Sequence, residues 1–77
     1  MIDYSPFWSL IEKRNENWYT LGKEHGLSSA TLFRLKHNQH VSNKTLNDLC
    51  AILQCDIGDI VKYVPSSEEI IYDNKKL

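Results

Sequence analysis

Apolar residues recur along this chain at helical spacing, three and four apart, and no stretch before residue 68 alternates as a strand does. Phe7, Leu10 and Ile11, with Trp8 at the edge, form the inner stripe of a first helix. It opens at Ser5-Pro6, an N-cap serine followed by a proline whose missing N–H costs nothing at the first helical position. Asn17 caps a short second helix, Trp18 to Glu24, which buries Leu21. His25-Gly26-Leu27 is then a turn, where glycine takes a left-handed conformation without steric cost. A third helix, Ser28 to His37, buries Leu32 and Leu35 and ends near Asn38, which tolerates that same conformation. A fourth, Asn43 to Leu53, buries Leu46, Leu49, Cys50 and Leu53, and a fifth, Ile57 to Tyr63, buries Ile57, Ile60 and Val61.

The last three helices share one opening signature. An apolar residue precedes a polar cap, and another apolar residue follows four positions after it, as in Leu27-Ser28…Leu32, Val41-Ser42…Leu46 and Cys55-Asp56…Ile60. Pro65 stops regular helix, and residues 66–77 form a polar tail around one apolar triplet, Ile70-Ile71-Tyr72. The expectation is an all-α, compact five-helix bundle over residues 1–65 with a short C-terminal tail. At 77 residues there is room for a single domain, and a chain of this size hides only about 60–65% of its unfolded surface.

Composition narrows the function class. No apolar run approaches the ~18 residues of a membrane span, and Met1-Ile2-Asp3-Tyr4 starts no signal-peptide pattern, so a cytoplasmic protein is expected. Cys50 and Cys55 fall on or beside a helix's apolar face and read as two small apolar residues. With His37 and His40 they form an H-x2-H…C-x4-C set, but structural zinc sites use tighter, turn-borne pairs, so no metal site is expected. There is no glycine-rich phosphate loop, no cysteine beside a plausible catalytic histidine, and no paired carboxylates flanking a turn. Neither enzymatic activity nor a cofactor is expected. Net charge is −1, which does not favour nucleic acid, but the charges are segregated. Between Glu24 and Asp48 there is no acidic residue, while Arg34, Lys36, His37, His40 and Lys44 all lie inside that window.

The second helix, the turn and the third helix, residues 17–35, form a unit with its own logic. A small residue, Gly22, lets the two helices approach; Gly26 makes the turn; Leu32 and Leu35 hold the third helix down so that its other face projects rigidly. Residues 17–60 resemble, without a gap, the helix-turn-helix domain of the lambda-repressor and Cro class, the XRE-type regulators. The likeness continues through Thr31, Arg34, Leu35, Ser42, Thr45-Leu46, Leu49, Leu53 and Asp59-Ile60. The segments Tyr4-Ser5-Pro6, Arg34-Leu35-Lys36-His37-Asn38, Asp48-Leu49-Cys50 and Asp59-Ile60-Val61 are similar to those of small stand-alone regulators of bacteria and their mobile elements.

The resemblance implies a regulator, in the repressor mould, that reads operator DNA in the major groove with the helix Ser28 to His37. By position it implies phosphate and base contacts from Ser28, Ser29, Ala30, Thr31 and Arg34; arginine pairs bidentately with guanine, and Thr31 offers a hydroxyl or meets a thymine methyl. Ser28 is also needed as a cap with or without DNA, and Arg34 has a plainer reading as a surface residue or a salt bridge to Glu24. The chain departs from the family at Trp18, where glutamine is common, at Lys36, where an acid is common, and at Phe33, where small or polar residues are common. Trp18 can donate its indole N–H to a phosphate or lie in the core, and Phe33 can meet a thymine methyl or a partner protein. A backbone clamp is expected from Lys36, Lys44, His40 and the amides of Ser42-Asn43-Lys44, because a helix N-terminus and nearby cations attract anions, and His37 is counted among the DNA-binding residues. Double-stranded DNA is the expected partner, with a homodimer through the fifth helix and the tail. The rival reading is a protein-interaction module of the same fold, such as an antitoxin or anti-repressor.

Overall fold

Four helices form over the expected apolar stripes, three of them behind the caps Asn17, Ser28 and Ser42. The computed structural model describes residues 1–65, in the order β1 (Ile2–Asp3), α1 (Ser5–Lys13), α2 (Trp18–His25), α3 (Ser29–Lys36), α4 (Asn43–Leu53), a 3-10 turn (Ile57–Asp59) and β2 (Lys62–Tyr63). The tail from residue 66, with the triplet Ile70-Ile71-Tyr72, lies outside the described residues. Among the described residues no helix is long and apolar enough to cross a membrane.

The expected all-α, five-helix bundle is corrected at both chain ends. The fifth helix, Ile57 to Tyr63, is only a three-residue 3-10 turn, after which the chain extends into β2. Asp56 N–H donates to the Asp59 carboxylate at 3.0 Å, which holds this turn tight. The following Ile60-Val61-Lys62-Tyr63-Val64 is rich in residues that suit a pleated surface. It finds a partner in the N-terminal residues: β1 and β2 pair antiparallel, with Ile2 opposite Tyr63 and Asp3 opposite Lys62. Met1 and Val64 extend the pairing, with Val64 N–H donating to the Met1 carbonyl at 2.8 Å and the Met1 amino group to the Val64 carbonyl. A strand of two residues carries too little alternation to be read from sequence, and its partner lies some sixty residues away.

Ser5 is the first helical residue rather than the cap. The Asp3 carboxylate accepts from its N–H at 2.8 Å and so serves the free amide at the start of α1. The core is Tyr4, Phe7, Ile11, Leu21, Leu32, Leu35, Val41, Leu49, Leu53 and Ile60. Tyr4 and Val41 belong to it although neither lies on a helix. Leu10, Leu46, Cys50 and Val61 are only partly buried against it, and Ile57, expected inside, is 47% exposed. Ile57 opens the 3-10 turn at the surface, while Ile60, just past its end, is fully buried.

Two hydrogen bonds tie the N-terminal segment across the bundle. Phe7 N–H donates to the Ile60 carbonyl at 3.2 Å, and Tyr4 N–H donates to Asn38 Oδ1 at 2.9 Å, beyond the end of α3.

Candidate nucleic-acid interface

The α2–turn–α3 unit is held at each joint by a named side chain. Asn17 Oδ1 accepts from Thr20 N–H at 3.0 Å, and Thr20 Oγ1 accepts from Asn17 N–H at 2.9 Å, which closes the start of α2 reciprocally. Gly26 takes φ 72°, the left-handed region that favours glycine, and Leu27 N–H then reaches the Leu21 carbonyl at 3.2 Å. Gly22 is less constrained than expected. A methyl group there would meet only the Leu27 carbonyl at 3.6 Å, so alanine fits the same close approach. Ser28 is outside α3 and caps it, accepting from Thr31 N–H at 3.1 Å and donating to Thr31 Oγ1 at 3.0 Å.

With Leu32 and Leu35 buried, the rest of α3 is turned out. Ser29, Ala30, Phe33, Arg34 and Lys36 are exposed, with Ser28 before them and His37 after, and Thr31 is half-buried. Phe33 is 49% exposed, and its ring lies 4.2 Å from that of His37, centroid to centroid. The salt bridge from Arg34 to Glu24 does not form; among the described residues the side-chain ion pairs are His25 with Glu16 at 2.7 Å and Lys44 with Asp48 at 2.8 Å. Among the described residues neither Arg34 nor the neighbouring Lys36 has a carboxylate partner.

Trp18 and Lys36 meet at a residue that sequence reasoning left at the edge. Trp8 of α1 donates its indole N–H to the Leu35 carbonyl of α3 at 3.2 Å. Its ring stacks on Trp18 (centroids 6.1 Å apart, 15° between planes), and the Lys36 ammonium sits 5.1 Å from its centroid. One side chain thus links α1, the first residue of α2 and the last turn of α3. Trp18 remains 40% exposed, so it is a partly packed surface residue rather than core. The only sequence signal for Trp8 was a tryptophan beside the buried Phe7, which does not say whether the ring turns in or out.

The second group comes from a different element. Ser42 caps α4 through Thr45 N–H at 3.1 Å, and His40, Ser42, Asn43 and Lys44 are all exposed at or before its first turn. Lys44 is compromised as a cation by Asp48, four residues on, although both stay in contact with solvent and such pairs are weak. Neither group draws on Cys50 or Cys55, and among the described residues no cluster of three or more His, Cys, Asp or Glu could hold a metal ion.

The family model for the Cro/C1-type helix-turn-helix DNA-binding domain matches residues 7–66. A crystal structure of the transcriptional regulator VanUg is similar over 84% of this chain and 87% of that one, at 32% identity and a TM-score of 0.75. No match is found among curated proteins.

Proposed function

The chain belongs to the Cro/C1-type helix-turn-helix DNA-binding family, and from that premise we propose that it regulates transcription as a repressor, reading a specific operator with α3. The observation that carries the reading is the outward face of α3, where Arg34, without an ion pair among the described residues, stands beside an exposed Phe33 on a helix locked from behind by Leu32 and Leu35. Arg34 pairs with a guanine edge, Phe33 meets a thymine methyl, and Ser29, Ala30 and Thr31 line the approach to the groove. Ser28 caps the helix and offers its first amides to phosphate. Trp18, Lys36, His37, His40 and the Ser42-Asn43-Lys44 turn clamp the backbone on either side. Repression follows from occupancy, since a bound unit covers the groove that transcription needs. The acid-free window between Glu24 and Asp48 supports this reading despite the net charge of −1.

One such unit reads a half-site, and two copies about 34–36 Å apart on a palindromic duplex give useful specificity. The homodimer contact we propose uses Ile52 and Tyr63, 38% and 61% exposed, with Val64 and the tail beyond them. Sedimentation of the full chain beside a version ending at Pro65 tests this; a monomer in both, with palindromic DNA present, removes the dimer.

The function is tested by selection from a random-duplex library. An enriched motif whose affinity falls steeply with salt is the expected result. No enrichment, or binding indifferent to salt, favours the second reading, a module that docks a protein through exposed Phe33 and Trp18 and the tail.

A further inference from the structure

Cys50 and Cys55 are brought together by the way α4 ends. The chain turns through Gln54 in the left-handed region (φ 50°, ψ 57°), and Cys55 N–H donates back to the Cys50 carbonyl at 3.1 Å. This six-residue capping bond sets the side chains at its first and last positions against each other, and here both are free thiols. The two sulfur-bearing residues also line one groove of about 390 Å³, with Leu46, Asp56 and Ile57 among its walls. Both are half-buried, so a small polar reagent reaches them from that groove. Burial pushes the Cys55 thiol up; Cys50, by charge and by a hydrogen bond, and Asp59 push it further, while the Arg14 guanidinium opposes them. Cys55 therefore keeps its proton at neutral pH.

We propose that Cys50 and Cys55 form a reversible dithiol–disulfide modification site whose oxidant is a low-molecular-weight disulfide of the glutathione type. Cys50 gives its proton to solvent, and its thiolate attacks one sulfur of the small disulfide. A bond forms between Cys50 and that sulfur, and the other half leaves as a thiolate that takes up a proton. Cys55 then loses its proton and attacks the Cys50 sulfur, expelling the second small thiol. The two cysteines are oxidised by two electrons, and the small disulfide is reduced to two thiols. The bond joins the end of α4 to the segment leading into the 3-10 turn, which itself passes to Ile60, the acceptor of the Phe7 amide. This site is independent of the DNA-binding reading.

The test uses the full reduced chain, incubated with glutathione disulfide near pH ~8, where thiolate is available, then quenched with an alkylating agent and weighed. The expected product is a monomer two hydrogens lighter, with both thiols protected and fully restored by dithiothreitol. Ring closure from the single adduct runs about tenfold faster in the folded chain than in denaturing urea, because the fold holds the sulfurs together. Cys50→Ser and Cys55→Ser each stop at one glutathione adduct. Glutathione on both sulfurs, chains linked to each other, or closure no faster in the folded chain than in urea would overturn the proposal.

Discussion

Helix α3 opens with Ser28 capping the Thr31 amide and closes over Asn38 at φ 54°, with Gln39 N–H returning to the Arg34 carbonyl at 2.8 Å. Helix α4 opens with Ser42 capping the Thr45 amide and closes over Gln54 at φ 50°, with Cys55 N–H returning to Cys50. The start and the stop are the same in both; what lies between differs. The exposed residues of α3 include an aromatic ring and two cations that form no ion pair among the described residues, whereas α4 pairs its one lysine with its own Asp48 and bears Ile52 and Cys50, with Cys55 just past its end. Capping chemistry thus places a helix without saying what it is for; the two helices differ in which exposed charges are paired among the described residues.

The largest test removes what the two helices share, a leucine pair on the inner face. Leu35→Ala and Leu49→Ala, at positions 1% and 0% exposed, each lower stability by roughly 2–5 kcal/mol through a core cavity, read as urea midpoints at constant slope. A Leu35→Ala chain as stable as the parent would mean that α3 is not fixed from behind, and the rigid-face argument fails with it.

Arg34→Ala separates the two helices. It weakens specific DNA binding by about 1–3 kcal/mol and relaxes preference at one base pair, while leaving stability within about 0.5 kcal/mol. Competition binding against duplexes varied one pair at a time reads both effects. Unchanged affinity and preference in a folded Arg34→Ala chain would place the reading head on another face.

Lysines sharpen the comparison further. Each phosphate neutralised contributes about 0.9 to the slope of log affinity against log salt. Lys36 lies over an aromatic ring and forms no ion pair among the described residues, so Lys36→Ala lowers the slope by about one unit. Lys44 is shared with Asp48, so Lys44→Ala lowers it by less, and by about one unit once Asp48→Asn has freed the ammonium. Equal slopes for both lysines in the parent background would show that the surface pair does not compete with phosphate.

Much of this was legible in the sequence because it is local. Asn17, Ser28 and Ser42 announce their helices through a side chain three residues from the amide it serves, and Leu21, Leu32, Leu35, Leu49 and Leu53 sit at the spacing that faces inward. The misreadings are the non-local features. The β1–β2 ladder joins residues some sixty apart, and the 3-10 turn that precedes β2 opens with Ile57 exposed. Tyr4 is buried where its amide meets Asn38 and the Phe7 amide meets Ile60, both distant in sequence. In the interface, the exposed face of α3 followed from periodicity, but the bridging role of Trp8 did not, since its contacts come from three elements.

The smallest effect concerns the two closing residues. Gln54 holds a left-handed conformation that disfavours a side chain, and Gln54→Gly removes that steric cost. Glycine also loses more freedom on folding, so the net gain is about 0.5–1 kcal/mol, a rise of several degrees in melting temperature for a domain this size. Asn38 holds the same conformation, yet Asn38→Gly brings no such gain. Its Oδ1 accepts the Tyr4 amide at 2.9 Å, and losing that bond costs about 1 kcal/mol, which offsets the relief of strain. Thermal melts of the two variants side by side decide whether Asn38 is more than a helix stop: equal gains at both positions would mean that its bond to Tyr4 contributes nothing.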